Sequence, residues 1–186
     1  MASIEHVSDT ALLVAAFRAR ESARPDALFR DPLAARVAGE KGLQLLDTHP
    51  GAKQTGWSVP IRTIVIDELL SEQLAAGVDT VLSLGAGLDT RPYRLALPGQ
   101  LRWVEADFPG LIELKNERIG SEVANCKVER VGLDLTDTAA RRALFSRVAA
   151  DSKRLLVLTE GVVPYLSVED VAALSDDLHS QSSISG

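Results

Sequence analysis

One short run of the sequence constrains the fold more than any other. Residues 80–85 (TVLSLG) form an apolar, β-prone segment that leads directly into a glycine turn at residues 85–91 (GAGLDTR). A strand that ends in glycines and feeds a helix, which Pro92 can start here, is typical of the first β-α unit of a parallel sheet. Glycines suit a turn where a ligand approaches the backbone, because side chains would block that approach. An ordinary tight turn can carry the same glycines, so further residues must decide between the two interpretations.

The chain after Asp79 continues the pattern of an α/β domain. Short apolar runs alternate with helical stretches, which predicts β-α-β units and a parallel sheet. Strands are predicted at residues 80–85, 101–106, 127–133 and 155–159. Helices are predicted over residues 109–121, from an Asp137 cap through Val148, and from a Ser167 cap through Leu174. The first of these helices carries on one face Leu111, Ile112, Lys115 and Ile119.

Two helices open the chain. The first stops before Pro25, and the second begins at Asp31-Pro32 and ends at Gly42. The apolar residues that recur at helical spacing in the first are Leu12, Leu13, Ala16 and Phe17.

An irregular loop at residues 47–60 separates these helices from a third one at residues 61–76, which Gly77 ends. One side of the third helix carries Ile61, Ile64, Val65, Glu68 and Leu69. We therefore divide the chain into an N-terminal helical region, residues 1–60, and an α/β domain, residues 61–186.

Charge and composition narrow the kinds of partner. The chain has 186 residues, 46% of them hydrophobic, with 20 Lys and Arg against 26 Asp and Glu, a formal charge of −6. This size and composition fit a self-sufficient globular domain. An acidic chain is poorly suited to a phosphate backbone, so we expect no nucleic-acid partner and favour a small molecule or a protein that tolerates acidic surfaces. The single cysteine, Cys126, and three scattered histidines predict neither a disulfide nor a metal site.

The sequence also bears on location. No apolar run approaches the roughly 18 residues that span a bilayer, and the N-terminal MASIEHVSDT lacks the basic and apolar regions of a signal peptide. We therefore expect a cytoplasmic protein with no membrane partner.

Acidic residues at the end of the second predicted strand strengthen the ligand interpretation. Glu105 and Asp107 lie roughly 20 residues beyond Gly85, at the neighbouring strand tip. Nucleotide-type cofactors place their ribose hydroxyls there, and a carboxylate accepts two strong hydrogen bonds from such a diol. Either carboxylate could fill that role, and a solvated acidic strand end is the less favoured alternative.

Thr90 bears on which nucleotide cofactor the turn could hold. A dinucleotide fingerprint has a third glycine at this position, because the helix must pack closely to bring its N-terminus to a pyrophosphate. S-adenosylmethionine carries the same adenosine without a phosphate, and its cationic groups suit an acidic pocket better than a pyrophosphate does. The sequence therefore favours S-adenosylmethionine over NAD.

Two further strand ends offer candidate contacts. Asp134 and Leu135 follow the third strand, where a carboxylate and a backbone amide could meet the amine and ring nitrogen of adenine. A helix-capping turn near Thr136 and Asp137 explains the same residues equally well. Glu160 follows the fourth strand, at the carboxyl edge where parallel sheets bind ligands, and is the stronger candidate.

A helix and six motifs, in this order, resemble the leucine carboxyl methyltransferase family, particularly its bacterial branch of small-molecule O-methyltransferases. They are the helix at residues 10–24, RPDALFRDPLA (24–34), VPIRT (59–63), LGAGLDTR (84–91), VEADFP (104–109), GLDL (132–135) and TEGVVPYL (159–166). The resemblance covers nearly the whole chain. It implies a Rossmann-like sheet of the class I S-adenosylmethionine-dependent methyltransferases, with the N-terminal helices as a lid.

The resemblance also implies the cofactor contacts. They are Arg62, Gly85, Ala86, Gly87, Asp107, Asp134, Leu135 and Glu160. Gly85 would line the methionine and ribose side, and Asp107, favoured over Glu105 by the motif, would hold the ribose diol. Asp134 with Leu135 would frame the adenine.

The charged end of the cofactor has its own implied contacts. Glu160 would face the methionine moiety, and Arg62 would pair with the cofactor carboxylate, a role suited to a bidentate guanidinium. Arg18 or Arg20 corresponds to a basic residue of the family near the same carboxylate.

The implied activity is methyl transfer from S-adenosylmethionine to a carboxylate or hydroxyl of a small molecule or protein. A sulfonium methyl is already electrophilic, so the protein has mainly to align the acceptor oxygen and exclude water. A carboxylate acceptor needs no base, whereas a hydroxyl would need one, and no histidine here suggests it. We assign no catalytic residue: Tyr165 is a candidate polar neighbour, but a structural or cofactor-contact role is favoured for it.

The number of strands departs from the family pattern. Four strands are predicted, whereas the family fold has seven, ordered 3-2-1-4-5-7-6, so the resemblance implies the order 3-2-1-4 for these four. We expect either a C-terminally truncated chain, which is favoured, or a dimer that covers the fourth strand, since an apolar edge promotes pairing. The alternative to an enzyme is a truncated or vestigial S-adenosylmethionine-binding module without turnover.

Overall fold

The computed structural model describes residues 7–48 and 56–180 as an α/β structure in which helices precede and then alternate with strands. The helices are α1 (Val7–Ser22), α2 (Ala34–Thr48), α3 (Ser58–Ala75), α4 (Arg91–Arg94), α5 (Pro109–Ile119), α6 (Thr138–Ala150) and α7 (Val168–His179), with a 3-10 turn at Val163–Tyr165. The strands are β1 (Thr80–Leu84), β2 (Arg102–Asp107), β3 (Lys127–Gly132) and β4 (Leu155–Thr159).

The strands of the described residues form one parallel sheet in the order β3-β2-β1-β4, which confirms the predicted order. In register, Leu84 of β1 lies between Ala106 of β2 and Thr159 of β4. All β1 residues are buried, as expected for a parallel strand with both faces covered. β4 is an edge of the described sheet, and pairing of two copies through it stays a prediction. The segments that follow the strands converge at the carboxyl edge.

Two apolar cores cover the two faces of the sheet. Leu82 packs with Leu144 and Phe145 of α6, whereas its neighbour Val81 packs with Leu70 of α3. Successive strand residues point to opposite faces. Helices α6 and α3 therefore lie on opposite sides of β1.

The N-terminal helices share a third core with the carboxyl-edge segments. Leu12 and Phe17 of α1 are buried with Leu45 of α2, Leu88 of the glycine turn and Leu111 of α5. This packing anchors α1 and α2 to the α/β part. The domain boundary at residue 60 and the lid role stay predictions.

The helix predicted after the glycine turn is present, with Pro92 in its first turn, but α4 is only a single turn long. Leu95 has an extended backbone (φ −84°, ψ 148°), and Pro98 and Gly99 follow it. Both residue types disfavour a longer helix. The chain therefore crosses from β1 to β2 with little helix between them.

The predicted end of the second helix at Gly42 is wrong, since α2 continues to Thr48. The non-helical residue is Gly39 (φ 61°, ψ −177°), where two helical stretches meet. A Cβ on Gly42 would lie 2.7 Å from the backbone oxygen of Leu12. Gly42 thus permits close packing against α1, a role that sequence cannot distinguish from helix termination.

The start of α3 differs from the expectation, because the helix begins at Ser58. Three residues of the side that the sequence singled out, Ile61, Val65 and Leu69, are exposed. The loop predicted at residues 47–60 lies partly outside the described residues, and its described ends belong largely to α2 and α3. No helix within residues 7–48 and 56–180 combines the length and apolarity needed to cross a membrane. The compartment stays a prediction.

Three local predictions are confirmed. The Asp137 carboxylate caps α6 by accepting from the N–H of Ala140 at 3.0 Å. The Ser167 hydroxyl caps α7 by accepting from the N–H of Asp170 at 3.0 Å. The buried residues of α5 are those predicted: Leu111, Ile112, Lys115 and Ile119.

Candidate ligand-binding site

The segments at the carboxyl edge of the sheet enclose a cavity of about 300 Å³. Its walls come from α1, the start of α3 and the loops that follow the four strands. The structure brings to this cavity every residue predicted to contact a cofactor: Arg62, Gly85, Ala86, Gly87, Asp107, Asp134, Leu135 and Glu160. The carboxyl edge is where open parallel sheets bind their ligands.

The glycine turn bends over the tip of β2. The N–H groups of Gly85 and Ala86 both donate to the carbonyl oxygen of Ala106, at 2.8 and 3.2 Å. Gly85 and Gly87 have φ values of 61° and 51°, in the left-handed region that glycine adopts freely. A Cβ on Gly85 would lie 2.3 Å from Cγ2 of Val162, in the loop after β4. This glycine therefore lets two loops meet, a requirement that the sequence did not indicate.

Asp107 holds the turn from the end of β2. Its Oδ2 accepts from the N–H of Gly87 and its Oδ1 from the N–H of Phe108, both at 2.7 Å. A carboxylate oxygen has a second lone pair, so each can still accept from a ligand at the cavity wall. Burial raises the pKa of Asp107, and the two N–H donors oppose that shift.

Glu105, the alternative to Asp107, is engaged elsewhere. Its side chain is fully buried, and its Oε2 lies 2.9 Å from both Nζ of Lys115 and Nε of Arg130. Glu105 is not among the residues that line the cavity. The geometry therefore favours Asp107 as the acidic residue of the β2 end that a ligand can reach.

Asp134 and Leu135 line the cavity from the loop after β3. Oδ1 of Asp134 accepts from the N–H of Thr136 at 2.9 Å and from its hydroxyl at 2.8 Å. The capping turn that the sequence offered as an alternative is present, with Asp137 as the α6 cap. The same segment thus forms a capping turn and a cavity wall.

Glu160 lies between two arginines. Its Oε1 accepts from Nε of Arg62 at 2.7 Å, and its Oε2 accepts from Nη1 of Arg91 at 2.8 Å. The Arg62 side chain is 39% exposed, whereas that of Arg91 is 3% exposed. The carboxylate therefore joins a solvent-accessible cation of α3 to a buried cation of the glycine turn.

Arg91 stands at the centre of an ionic group that we call the Arg91 cluster. Its members are Arg62, Asp67, Asp89, Arg91, Arg94 and Glu160. Arg91 donates to Asp67 at 2.7 Å and to Asp89 at 2.9 Å, and Arg94 binds Asp67 through two contacts at 2.6 and 2.9 Å. Burial opposes ionisation here, but the neighbouring opposite charges raise the pKa of Arg91 and lower the pKa of Asp89. Three cations balance three anions.

Arg18 attaches α1 to the turn. Its Nε donates to Oδ2 of Asp31 at 2.9 Å, and its Nη2 donates to the carbonyl of Leu88 at 2.6 Å. Arg18 also lines the cavity, whereas Arg20, the other candidate in α1, lies over the ring of Phe17.

Comparison with known proteins identifies the family. The family model described as leucine carboxyl methyltransferase matches residues 11–179. The chain belongs to the leucine carboxyl methyltransferase family. The resemblance indicated by the N-terminal helix and the six motifs is confirmed.

Relatives in bacteria agree with the leucine carboxyl methyltransferase assignment. A Streptomyces coelicolor protein, provisionally named as an S-adenosyl-L-methionine-dependent methyltransferase, is 40% identical over 138 residues, which are 69% of this chain and 49% of that protein. A Parafrankia protein with a name of the same kind is 34% identical over 182 residues, which are 92% of this chain and 58% of that protein. The chain thus spans about half to three fifths of these relatives.

A solved structure supports the fold. The crystal structure of a DUF574 family protein from Streptomyces avermitilis aligns with a TM-score of 0.55 and 16% sequence identity. The alignment covers 89% of this chain and 63% of the other. The Rossmann-like α/β architecture expected of a leucine carboxyl methyltransferase family member is therefore shown.

Four residues of the Arg91 cluster were missed in the sequence: Asp67, Asp89, Arg91 and Arg94. Arg91 belongs to the family motif LGAGLDTR but received no role, and its partner Asp67 was not singled out. Asp67 follows Thr63 and precedes Leu70 at helical spacing, and all three are buried in α3. A charge on a buried helix face requires a partner, and this was the available signal. The identity of that partner depends on the tertiary fold.

Proposed function

We propose that this chain is the cofactor-binding part of an S-adenosyl-L-methionine-dependent methyltransferase that methylates an oxygen of its acceptor. The observation that carries the proposal is the meeting of the glycine turn, Asp107 and the Arg62–Glu160 pair around one cavity. Membership of the leucine carboxyl methyltransferase family supports it, and so do the names of the relatives.

The nucleoside half of the cofactor fits the glycine turn and the strand ends. Gly87 lines the cavity with φ of 51°, a backbone conformation that glycine adopts freely, and it has no side chain to keep a ligand from the backbone. We assign Asp107 to the two ribose hydroxyls, since both its oxygens retain accepting capacity. We assign Asp134 and Leu135 to the adenine.

The amino-acid half fits the charged wall. An amino acid carries an ammonium and a carboxylate on one carbon, and Glu160 and Arg62 offer the two opposite charges side by side, 2.7 Å apart. Charge-assisted hydrogen bonds to such groups are the stronger kind. We assign Glu160 to the ammonium, Arg62 to the carboxylate, and Gly85 with Ala86 to the chain between them and the ribose.

Methyl transfer from S-adenosylmethionine requires little acid-base catalysis by the protein. When bound, S-adenosylmethionine supplies an electrophilic sulfonium methyl. The residues of this chain then have to hold an acceptor oxygen in line and exclude water. Thr10, Ala11 and Val14 of α1 border the cavity, which supports the proposal that α1 covers the acceptor as a lid. The acceptor class we propose is a carboxylate or a hydroxyl of a small molecule or protein.

Calorimetric titration with S-adenosylhomocysteine tests the cofactor assignment. The wild-type chain should bind it, and Asp107→Ala should bind at least about tenfold more weakly, since two charge-assisted hydrogen bonds are lost. Arg147→Ala is the matched control, because the Arg147–Glu129 pair does not line the cavity. NAD should give no heat. Absence of binding by the wild-type chain would contradict the proposal.

A binding module without turnover is the second candidate. The residues that support the proposal are all assigned to the cofactor, and binding alone would account for them. Incubation with S-adenosylmethionine carrying a labelled methyl, together with carboxylate and hydroxyl acceptors, separates the two. Label transferred to any acceptor would eliminate the module, and binding without transfer to any of them would favour it.

A further inference from the structure

The two oxygens of Glu160 have partners that differ in exposure and in the number of other ion pairs they form. Arg91 is buried and also forms ion pairs with Asp67 and Asp89, at 2.7 and 2.9 Å. Movement of the Arg91 side chain away from Glu160 would therefore break two other ion pairs. Arg62 is 39% exposed, and Glu160 is its one carboxylate partner among the described residues. Arg91 therefore fixes Glu160, and Arg62 is the partner that can be displaced.

Each oxygen of Glu160 keeps a second lone pair, but a ligand ammonium that binds Oε1 lies beside the guanidinium of Arg62, which donates to the same oxygen at 2.7 Å. The two cations repel each other, and a guanidinium that moves away from Glu160 needs another anion. A ligand with a carboxylate beside its ammonium supplies one within reach, whereas a ligand amine without a carboxylate leaves Arg62 without a counter-charge.

The charge balance of the Arg91 cluster also favours a ligand that carries both an ammonium and a carboxylate. Its three arginines and three carboxylates sum to zero. A zwitterionic amino-acid group leaves that sum at zero, whereas a simple amine raises it to +1. An uncompensated charge is costly at a partly buried site, because water screens it poorly there.

From these contacts we infer that Arg62 competes with the ligand for Glu160, and that this competition makes the site selective for an intact α-amino acid over the corresponding decarboxylated amine. Arg62 is thus a specificity-determining residue with two effects of opposite sign. It favours ligands that carry the carboxylate and opposes those that do not. The inference rests on the proposed function and adds a discrimination to it.

Three adenosyl thioethers separate these effects by calorimetry. S-adenosylhomocysteine carries ammonium and carboxylate, aminopropylthioadenosine carries the ammonium alone, and methylthioadenosine carries neither. Each is titrated into the wild-type chain, Arg62→Ala and Arg62→Gln. Arg147→Ala is the control, because it removes an arginine of similar exposure (45%) from a carboxylate pair that does not line the cavity. Urea unfolding of each variant establishes that it folds.

Removal of Arg62 should change the affinities for aminopropylthioadenosine and S-adenosylhomocysteine in opposite directions. Loss of Arg62 should weaken S-adenosylhomocysteine binding about tenfold and tighten aminopropylthioadenosine binding about two- to fivefold, the range of a partly exposed ion pair. Methylthioadenosine binding should not change. In Arg147→Ala all three affinities should equal those of the wild type.

Two results would overturn the inference, and they differ in what else they reject. If the Arg62 variants bind S-adenosylhomocysteine more weakly but aminopropylthioadenosine no more tightly than the wild type, Arg62 is a carboxylate contact alone. The proposed function then stands and the competition is rejected. If the wild-type chain binds none of the three thioethers, the proposed function is rejected together with the inference.

Discussion

The hydroxyl of Thr90 donates to Oδ2 of Asp31 at 2.6 Å, across 59 positions of the chain. The same oxygen accepts from Nε of Arg18 at 2.9 Å, and both Thr90 and the Asp31 side chain are fully buried. Asp31 precedes α2, Arg18 belongs to α1, and Thr90 ends the glycine turn. This contact therefore ties the N-terminal helices to the ligand-binding edge of the sheet, and it gives Thr90 a function where a dinucleotide site has glycine.

Thr90→Val tests this connection with little change in volume. The variant removes one hydrogen bond to a buried carboxylate, so the free energy of unfolding should fall by about 1–2 kcal/mol. S-adenosylhomocysteine binding should weaken as well, because the turn loses an anchor. Urea unfolding and calorimetry measure the two effects. The same substitution at Thr138, a half-exposed position at the start of α6, should change neither. Unchanged stability of Thr90→Val would show that the remaining donors, Nε of Arg18 and the N–H of Leu33, suffice to hold Asp31.

Gly85→Ala should be strongly destabilising. The new Cβ would lie 2.3 Å from Cγ2 of Val162 and would also occupy a residue with φ of 61°. Overpacking of this kind costs about 1–3 kcal/mol, and the left-handed backbone adds about 1–2 kcal/mol. Urea unfolding measures the sum.

A second substitution separates the steric cost of Gly85→Ala from its backbone cost. Val162→Ala combined with Gly85→Ala removes the clashing methyl, so the pair should recover the steric part and keep the backbone part. Gly99→Ala is the control, since a Cβ there meets no atom within 4 Å. If the double variant is no more stable than Gly85→Ala, the loop after β4 is not what limits the turn.

Arg91→Ala should destabilise the fold much more than Arg147→Ala. Removing Arg91 leaves Asp67, Asp89 and Glu160 near one another with fewer cations, and breaking a buried ion pair costs about 3–5 kcal/mol. Arg147 forms an exposed pair with Glu129, for which about 0.2–1 kcal/mol is expected. Chemical denaturation of both variants makes the comparison, and equal losses would argue against a central role for Arg91.

Asp107 and Asp89 should give stability profiles of opposite slope against pH. Burial raises the pKa of Asp107, so the folded chain holds more protons than the unfolded chain between the ordinary and the raised value. The contribution of Asp107 to stability is therefore full below its ordinary pKa and declines as the pH rises through the raised pKa. The lowered pKa of Asp89 gives a contribution that is present above its ordinary value and is lost as the pH falls.

Unfolding of the wild type, Asp107→Asn and Asp89→Asn from pH 3 to pH 7 tests both slopes. The stability difference between wild type and Asp107→Asn should become less favourable to the wild type as the pH rises. The difference for Asp89→Asn should become more favourable to the wild type. Parallel profiles for the two variants would contradict the assigned environments.

Cys126 should react with thiol reagents only after unfolding. Its side chain is buried, and burial together with nearby Glu105 raises its thiol pKa to about 11. Since the thiolate is the reactive species, an aromatic disulfide reagent at pH 8 should label the native protein slowly. The labelling rate should rise through the urea transition. Rapid stoichiometric labelling of the native chain would show that this region opens locally.

The parts of the fold that the sequence predicted are those set by local patterns. Alternation of apolar runs with helical segments located all four strands, and Asp137 and Ser167 marked their helix starts through capping chemistry. The carboxyl-edge position of Glu160 and Asp107 followed from strand ends, because parallel strands end at one edge. These features depend on neighbours in sequence or on one topological rule.

The features that the sequence left open depend on distant partners. Gly42 looked like a helix end because its neighbour, the Leu12 carbonyl, lies 30 positions away. Glu105 and Asp107 differ in role only because Lys115 and Arg130 engage the former. The charge pairs of Arg91 join α3, the glycine turn and the loop after β4. None of these pairings leaves a local pattern.

The position of β4 beside β1 has a consequence for synthesis of the chain. β1 is made early, but the strand that covers its second edge follows roughly 70 residues later, which at about 5–20 residues per second is on the order of 4–14 s of translation. During that interval one edge of β1, a strand that is fully buried in the folded protein, presents unpaired backbone groups to other nascent chains. Slowing translation between β1 and β4 should therefore increase aggregation of the nascent chain.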